Sequence, residues 1–458
     1  MLSRWFDRIA ARAALRFRAR IDRYKLARRR FVREELLAEP AIAEAVRAHA
    51  AATGMPEAQV WARVRAYIRE IVPFFNIIAY YQVGYRLGDA LLRFFYRVSI
   101  AYENREAFDR LPRRSVLVYV MNHRSNADYV LVSYALAGHV AISYAVGEWA
   151  RAFPLEYLFK AFGAYFVRRR YREALYHAVL ESYVQLITRR GVTQGIFLEG
   201  GLTRDGRLSQ PKLGLLDYVL GIARDAEYRG RMFVVPVAVN YDRVLEDRSL
   251  LAELAARAGQ GRPTRWRQFR DVSRYVTANV GRMLTGRWRR YGRAAVTIGA
   301  PVPLAPWFDR EQALFTLPRA ERLARVQALC DDIMGTIGGI IPVTPVPLAC
   351  AAIQSFDQDY IGRADLLVRM GEMRGVLVEL NARVLRADRD IAETFDRAWR
   401  MLRMRRMLYA EGDGFTVLPG NRPLISYYAN SIAHLLGPYG EAVRRRDALP
   451  VQPVSAGL

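Results

Sequence analysis

The sequence predicts an α/β fold: a central domain with a mostly parallel sheet flanked by helices, set between helical N-terminal and C-terminal regions. Three observations carry this. Short apolar, often β-branched runs recur between residues 115 and 302. Longer segments of helical period separate them, and such alternation builds a largely parallel sheet. Outside that span, residues 1–100 and 306–458 read as mostly helical.

The elements follow in order. In residues 1–24, Leu2, Trp5, Phe6, Ile9, Ala13, Phe17, Ile21 and Tyr24 recur at three- and four-residue steps with arginines around them. They form one helical face, suited to an anionic lipid surface or to packing on the protein's own domain. Arg or Asp breaks every apolar run there, so a cleaved secretory signal is not expected. The segment IVPFFNIIAYYQVGY, 71–85, falls short of the roughly 18 to 20 apolar residues that span a bilayer and carries Pro73, Asn76 and Gln82. It suits an interface or a core. The candidate strands are SVLVYVM at 115–121, GAYFVR at 163–168, GIFLE at 195–199, FVVPVAV at 233–239 and AAVTIGAPV at 294–302. The domains are therefore drawn as 1–100, a basic, membrane-associating helical region; 101–305, the α/β domain; and 306–458, mostly helical, with IIPVTPVPLACAAI at 340–353 as a proline-rich break.

The chain of 458 residues carries a formal charge of +25. That excess implies an anionic partner: nucleic acid, an acidic membrane surface, or an acidic carrier or substrate. No helix-turn-helix, zinc-finger or RNA-binding signature is present, so nucleic acid is not expected. Cys330 and Cys350 are the only cysteines, which excludes a disulfide framework and a four-cysteine zinc site. No metal or cofactor motif is found.

Chemistry concentrates in VYVMNHRSNADYVLVSYAL, 119–137. Residues five apart do not share a face of one helix, so His123 and Asp128 pair only if His123 lies in the loop after a strand and Asp128 in the first turn of the next helix. The carboxylate then fixes the tautomer of the imidazole, whose other nitrogen acts as general base. The spacing alone is a weak signal. His49, His139, His177 and His434 stand among apolar or small neighbours and read as packing or surface residues. Three further stretches place polar groups just after apolar runs: Arg168, Arg169 and Arg170; Glu199, Gly200 and Gly201, with Arg204, Arg207 and Lys212 nearby; and Pro236 within FVVPVAV. Arginines, a lysine and glycine turns suit a phosphate dianion, because guanidinium binds it bidentately and glycine lets backbone amides approach.

Four segments in order, NHRSNAD, GAYFVRR, FLEGGLTRDGR and VVPVAVNYDRV, resemble the four motifs of the glycerolipid acyltransferases. QPKLGLL and YDRVLE make the resemblance closest to the glycerol-3-phosphate acyltransferases, over about residues 100–305. The resemblance implies that His123 deprotonates the sn-1 hydroxyl of glycerol 3-phosphate for attack on an acyl thioester, oriented by Asp128. The donor would be acyl-CoA or acyl carrier protein. Arg169 falls on the phosphate-binding arginine of the second motif, Glu199 and Gly200 on the third, and Pro236 on the fourth, which shapes the acyl-donor side. Arg204 matches a further arginine of the family, while Leu202 and Thr203 replace its usual Arg and Ser. Arg124, Arg207 and Lys212 are the next candidate phosphate ligands. The resemblance also implies an enzyme peripheral or monotopic on the cytoplasmic face of an anionic membrane, of the kind a bacterial inner membrane presents.

Overall fold

The computed structural model describes residues 29–73, 85–112, 114–136, 142–147, 164–168, 171–257 and 290–447. The amphipathic opening, most of the 71–85 segment, His139, Arg169 and Arg170 lie outside the described residues.

The sheet forms where the apolar runs predict it, with β1 and β3 added and the 294–302 run divided between two strands. Its strands are β1 (Arg97–Tyr102), β2 (Val116–Met121), β3 (Ser143–Val146), β4 (Tyr165–Phe166), β5 (Gln194–Phe197), β6 (Met232–Tyr241), β7 (Arg293–Ile298) and β8 (Val302–Pro303). Among the described residues they form one sheet in the order β1-β7-β6-β2-β5-β3-β4, with β8 beside β6. From β6 through β4 every neighbouring pair is parallel, while β7 and β8 run antiparallel to β6. Every residue of β2 and β5 is buried, which is why both read as unbroken apolar runs rather than alternating ones. Helix Ala174–Arg189 and helix Asp128–Leu136 contribute buried faces to the same core.

Pro236 sits inside β6 without breaking it. It lies where β6 changes partners, between the pairing of Val234 with Val302 and that of Val237 with Ile298. Its carbonyl accepts the Gly299 N–H at 2.8 Å, and its lack of a donor falls at the changeover, a place where a strand tolerates proline.

The C-terminal part is helical, with a small antiparallel sheet of Tyr360–Gly362, Tyr409–Glu411 and Gly414–Thr416 that the sequence reading did not include. The expected proline-rich break is mostly a helix. Pro345–Gln354 is helical and buried throughout, with its prolines in the first turn, where the backbone N–H has no intrahelical acceptor to lose. Only residues 340–344 interrupt the helical run between Arg319–Gly339 and this helix. Among the described residues, no helix is long and apolar enough to cross a membrane.

Buried polar contacts join this region to the sheet domain. Asp242, at the end of β6, accepts the N–H of Arg293 on β7 at 2.7 Å and that of Val346 at 3.0 Å. Gly292, at φ +85°, leaves room for that carboxylate: a Cβ there would lie 2.5 Å from Asp242 Cβ. Five residues on, Asp247 forms a buried ion pair with Arg405 at 2.6 Å; Tyr428 O–H donates to Asp247 Oδ2, and its oxygen accepts the Val244 N–H at 2.9 Å. Removing one member of a buried pair strands the other charge, so Arg405→Met should cost about 3 to 5 kcal/mol. Denaturant midpoints check this: Asp247→Asn in the Arg405→Met background should recover part of the loss, and a single variant as stable as the parent contradicts the pairing.

Candidate active site

His123 and Asp128 meet beyond the C-terminal end of β2, as the sequence reading expects. β2 ends at Met121, and Asn122 is fixed to β6 by two bonds: its side-chain N–H donates to Val239 O at 3.0 Å and its Oδ1 accepts Val239 N–H at 2.8 Å. The chain then turns into helix Asp128–Leu136, with Ser125 Oγ accepting the Ala127 N–H at 3.1 Å. Asp128 heads that helix and folds back on the loop. Its Oδ2 accepts from His123 Nδ1 at 2.9 Å, Arg124 N–H at 2.7 Å and Ser125 N–H at 3.0 Å. Tyr241 O–H donates to Oδ1 at 2.5 Å.

This set of donors assigns the tautomer. Backbone amides only donate, so the carboxylate is the acceptor and Nδ1 carries the proton. His123 is 1% exposed and Asp128 fully buried. The His123 ring stacks on Phe197 with centroids 4.0 Å apart and meets the edge of Tyr129 at 5.5 Å. Burial pushes the Tyr241 phenol well above its usual range, and the nearby Asp128 charge adds to that, so Tyr241 remains a hydrogen-bond donor. Glu246 extends the network: it accepts from Ser125 O–H at 2.7 Å and Asn126 N–H at 3.2 Å, and burial raises its carboxyl.

The third-motif residues wrap the same loop. Glu199 follows β5, with Oε1 accepting His123 N–H at 2.7 Å and Oε2 accepting Ser209 N–H at 3.0 Å. Both oxygens therefore face backbone, which makes Glu199 a brace for His123. Thr203 N–H donates to His123 O at 3.1 Å, so the main chain of the histidine is held from both sides. Gly200 has φ +63°, and a Cβ there would lie 2.7 Å from Lys212 Cδ: the lysine stem crosses the glycine. Leu202 is half-buried against the hydrophobic core, which accounts for an apolar residue where the family has arginine. Gly201 is half-buried beside it, and Arg207 and Lys212 are exposed on the same loop. Arg204 Nε reaches Glu253 Oε2 at 3.1 Å. The second motif is only partly described: Arg168 pairs with Glu70 through Nε at 2.8 Å and Nη2 at 2.5 Å, and so fastens the start of that segment to helix Glu57–Ile71.

Arg124 is placed unlike the other candidate cations. It is 3% exposed, donates through Nη1 to Gly206 O, and lies 4.9 Å from the centre of the Tyr427 ring. Its Nε and Nη2 have no hydrogen-bond partner among the described residues, and it lines a small pocket with Glu199, Arg207, Asn240 and Ser431. Tyr427 and Asn430 come from the C-terminal region. Asn430 donates to Asp205 O at 3.0 Å, and Gly206, at φ +87°, passes so close that a Cβ would lie 1.9 Å from Tyr427 O. Sequence reasoning missed Tyr241, Glu246, Tyr427 and Asn430. The first two lie in or beside the VVPVAVNYDRVLE stretch that carried the resemblance; the last two have no local signal. His177 is half-buried and bonded to Tyr218 O–H at 2.9 Å, while His434 is exposed at the surface and bonded to Gly338 O at 3.1 Å. Among the described residues, no cluster of metal-ligating side chains occurs.

Comparison with known proteins agrees with this arrangement. Residues 100–240 match the family model described as acyltransferase, which spans β1 to β6 and the His123–Asp128 loop. Residues 279–438 match that described as the glycerol-3-phosphate acyltransferase C-terminal region. Over these two stretches the chain is similar to an acyltransferase domain and to a glycerol-3-phosphate acyltransferase C-terminal region. Among curated relatives, it is similar to glycerol-3-phosphate acyltransferases of Xylella fastidiosa (strain M12), 26% identical over 422 residues, and Xanthomonas campestris pv. campestris, 27% identical over 429 residues. Another is that of Actinobacillus succinogenes, 26% identical over 435 residues. Each alignment covers 90% of this chain but only 47%, 46% and 50% of the respective relative. The chain spans about half the length of the curated relatives it matches.

The brace has a pH signature. Burial is the largest influence on Glu199 and pushes its carboxyl up to about 7 from an ordinary 4.5. Between those pH values the folded chain keeps a proton that the unfolded chain releases, so stability falls as pH rises, by about 3 kcal/mol in all. Glu199→Gln abolishes that titration and turns an NH2 toward one of the two backbone donors. The stability advantage of the parent over this variant should therefore be larger at about pH 5 than at about pH 8. Denaturant midpoints at both pH values measure it, and an unchanged gap contradicts the assignment.

Proposed function

We propose that the protein transfers a fatty acyl group from an acyl thioester to the sn-1 hydroxyl of glycerol 3-phosphate, giving lysophosphatidate, the first step of phospholipid synthesis. The observation that carries this reading is the buried His123–Asp128 pair, 2.9 Å apart at the end of a parallel strand, within the acyltransferase match. The relatives named glycerol-3-phosphate acyltransferase support the acceptor.

In this mechanism His123 Nε2 takes the proton of the sn-1 hydroxyl as its oxygen attacks the thioester carbonyl. Asp128 holds Nδ1–H and stabilises the imidazolium that forms. The tetrahedral intermediate collapses, the C–S bond breaks, and the imidazolium returns the proton to the departing thiolate. No acyl-enzyme is needed. Consistent with that, burial pushes the Cys330 thiol up to about 12 and raises Cys350 further, so neither is poised as a nucleophile. Arg169, Arg204, Arg207 and Lys212 form the phosphate clamp, with Gly200 and Gly201 giving the loop its turn and Pro236 on the acyl-donor side. Arg124 and Glu199 hold the loop that presents His123. The donor is acyl-CoA or acyl carrier protein, whose acidity suits a chain of charge +25. The protein works peripherally, on the cytoplasmic face of an anionic membrane.

The test is acyl transfer by the purified chain to glycerol 3-phosphate, dihydroxyacetone phosphate and lysophosphatidate, with each donor. Preference for glycerol 3-phosphate is expected; transfer to none by a folded chain overturns the reading. His123→Ala should lose nearly all activity while remaining folded, and Asp128→Asn should lose as much or less. Near-normal turnover in the first variant would refute the base assignment. Arg204→Ala removes an interaction made both before and during reaction, so it should raise KM for glycerol 3-phosphate about tenfold to a hundredfold with a smaller change in kcat. An unchanged KM assigns Arg204 to its ion pair with Glu253 alone.

A further inference from the structure

Helix Tyr85–Phe95 presents two apolar stripes to different surroundings. One stripe, Gly88, Leu92 and Phe95, packs inward. Gly88 approaches helix Asp128–Leu136 so closely that a Cβ would sit 3.0 Å from Val130 Cγ1, and Arg93 Nη2 donates to Tyr134 O–H at 3.3 Å. The other stripe faces outward: Leu87 is 49% exposed and Leu91, one turn on, 44%. Val130, 38% exposed on the adjoining helix, extends the patch to within two residues of Asp128. Arg86 and Arg93, both exposed, lie together on the polar side of the helix, next to the outward leucines, with Asp89 paired to Arg93 Nε at 2.5 Å, so that the face keeps a net positive charge through Arg86.

Single exposed leucines need no explanation, since much of any folded surface is apolar. A stripe of them beside arginines, on the helix packed against the start of the catalytic helix, has the pattern of a segment lying in a lipid interface. The sequence leading into it, residues 74–84, reads FFNIIAYYQVG and is also predominantly apolar. We propose that the face formed by Leu87, Leu91 and Val130 docks on an anionic lipid surface. The leucines enter the boundary between headgroups and acyl chains, and Arg86 and Arg93 stay at the headgroups. Charge favours lipid over a second copy of the chain: two surfaces of a protein carrying +25 repel, whereas anionic headgroups attract. This proposal rests on the reading of the protein as peripheral on a membrane, and gives that contact an orientation: the mouth of the His123–Asp128 loop stands at the bilayer, where an acyl donor and an amphiphilic product both partition.

The test is flotation of the full chain with vesicles of phosphatidylethanolamine and phosphatidylglycerol, and with vesicles of phosphatidylcholine alone. The parent should bind the anionic vesicles more strongly. Leu87→Gln/Leu91→Gln should weaken that binding about tenfold or more while preserving the melting temperature. Arg86→Gln/Arg93→Gln should reduce the preference for anionic over neutral vesicles, and it serves if the leucine variant fails to fold. A parent that binds no vesicles overturns the membrane reading and this surface with it. A parent that binds, with both double variants binding equally well, overturns only this surface. A leucine variant that changes a dimer to a monomer by light scattering, with vesicle binding unchanged, assigns the face to self-association and also overturns the proposal.

Discussion

The Asp128 carboxylate is the constraint on which the rest of the site depends. It is fully buried and accepts four hydrogen bonds: from an imidazole, two backbone amides and a phenol. A buried charge is costly unless its lone pairs are used, and here four donors from two parts of the chain use them. The amides of Arg124 and Ser125 fold the loop around the carboxylate, and Tyr241 reaches it from the end of β6. The same contacts that make the charge tolerable fix the tautomer of His123. Local folding and the geometry of the His123–Asp128 pair are thus one requirement.

The C-terminal region adds a second constraint at a distance in sequence. Gly206 passes beneath the Tyr427 carbonyl, Asn430 holds the Asp205 carbonyl, and Arg124 spans from the catalytic loop to Gly206 and the Tyr427 ring. The loop that bears Glu199, Arg204 and Arg207 therefore lies between β5 and the helix Arg422–Asn430. Asp242 and the Asp247–Arg405 pair hold the same two regions together lower down. This region shapes the site by closing one wall of that loop.

Much of this was legible in the sequence because the chemistry is local. His123, Glu199 and Pro236 stand in or just after an apolar run and Asp128 just before the next one, and buried parallel strands make such runs conspicuous. β1 and β3 were not legible: Arg97–Tyr102 is a partly exposed strand at the sheet edge and begins with arginine, and Ser143–Val146 has only four residues. The prolines at 345 and 347 suggested a break because proline stops a helix in its interior, yet in a first turn it costs nothing. Tyr427 and Asn430 act on residues more than two hundred positions away, through packing that leaves no periodic trace. The role of Glu199 also escaped: its spacing marks it as a site residue, but only the bonds to His123 and Ser209 show that it faces backbone.

The most direct test of this account is the proton on His123. In the chain labelled with nitrogen-15 at histidine, with the His123 signals assigned by their loss in His123→Gln, nuclear magnetic resonance reports which ring nitrogen is protonated at neutral pH. The account predicts a proton on Nδ1, held by Asp128, and an unprotonated Nε2 able to act as base. A neutral His123 carrying its proton on Nε2 would contradict it.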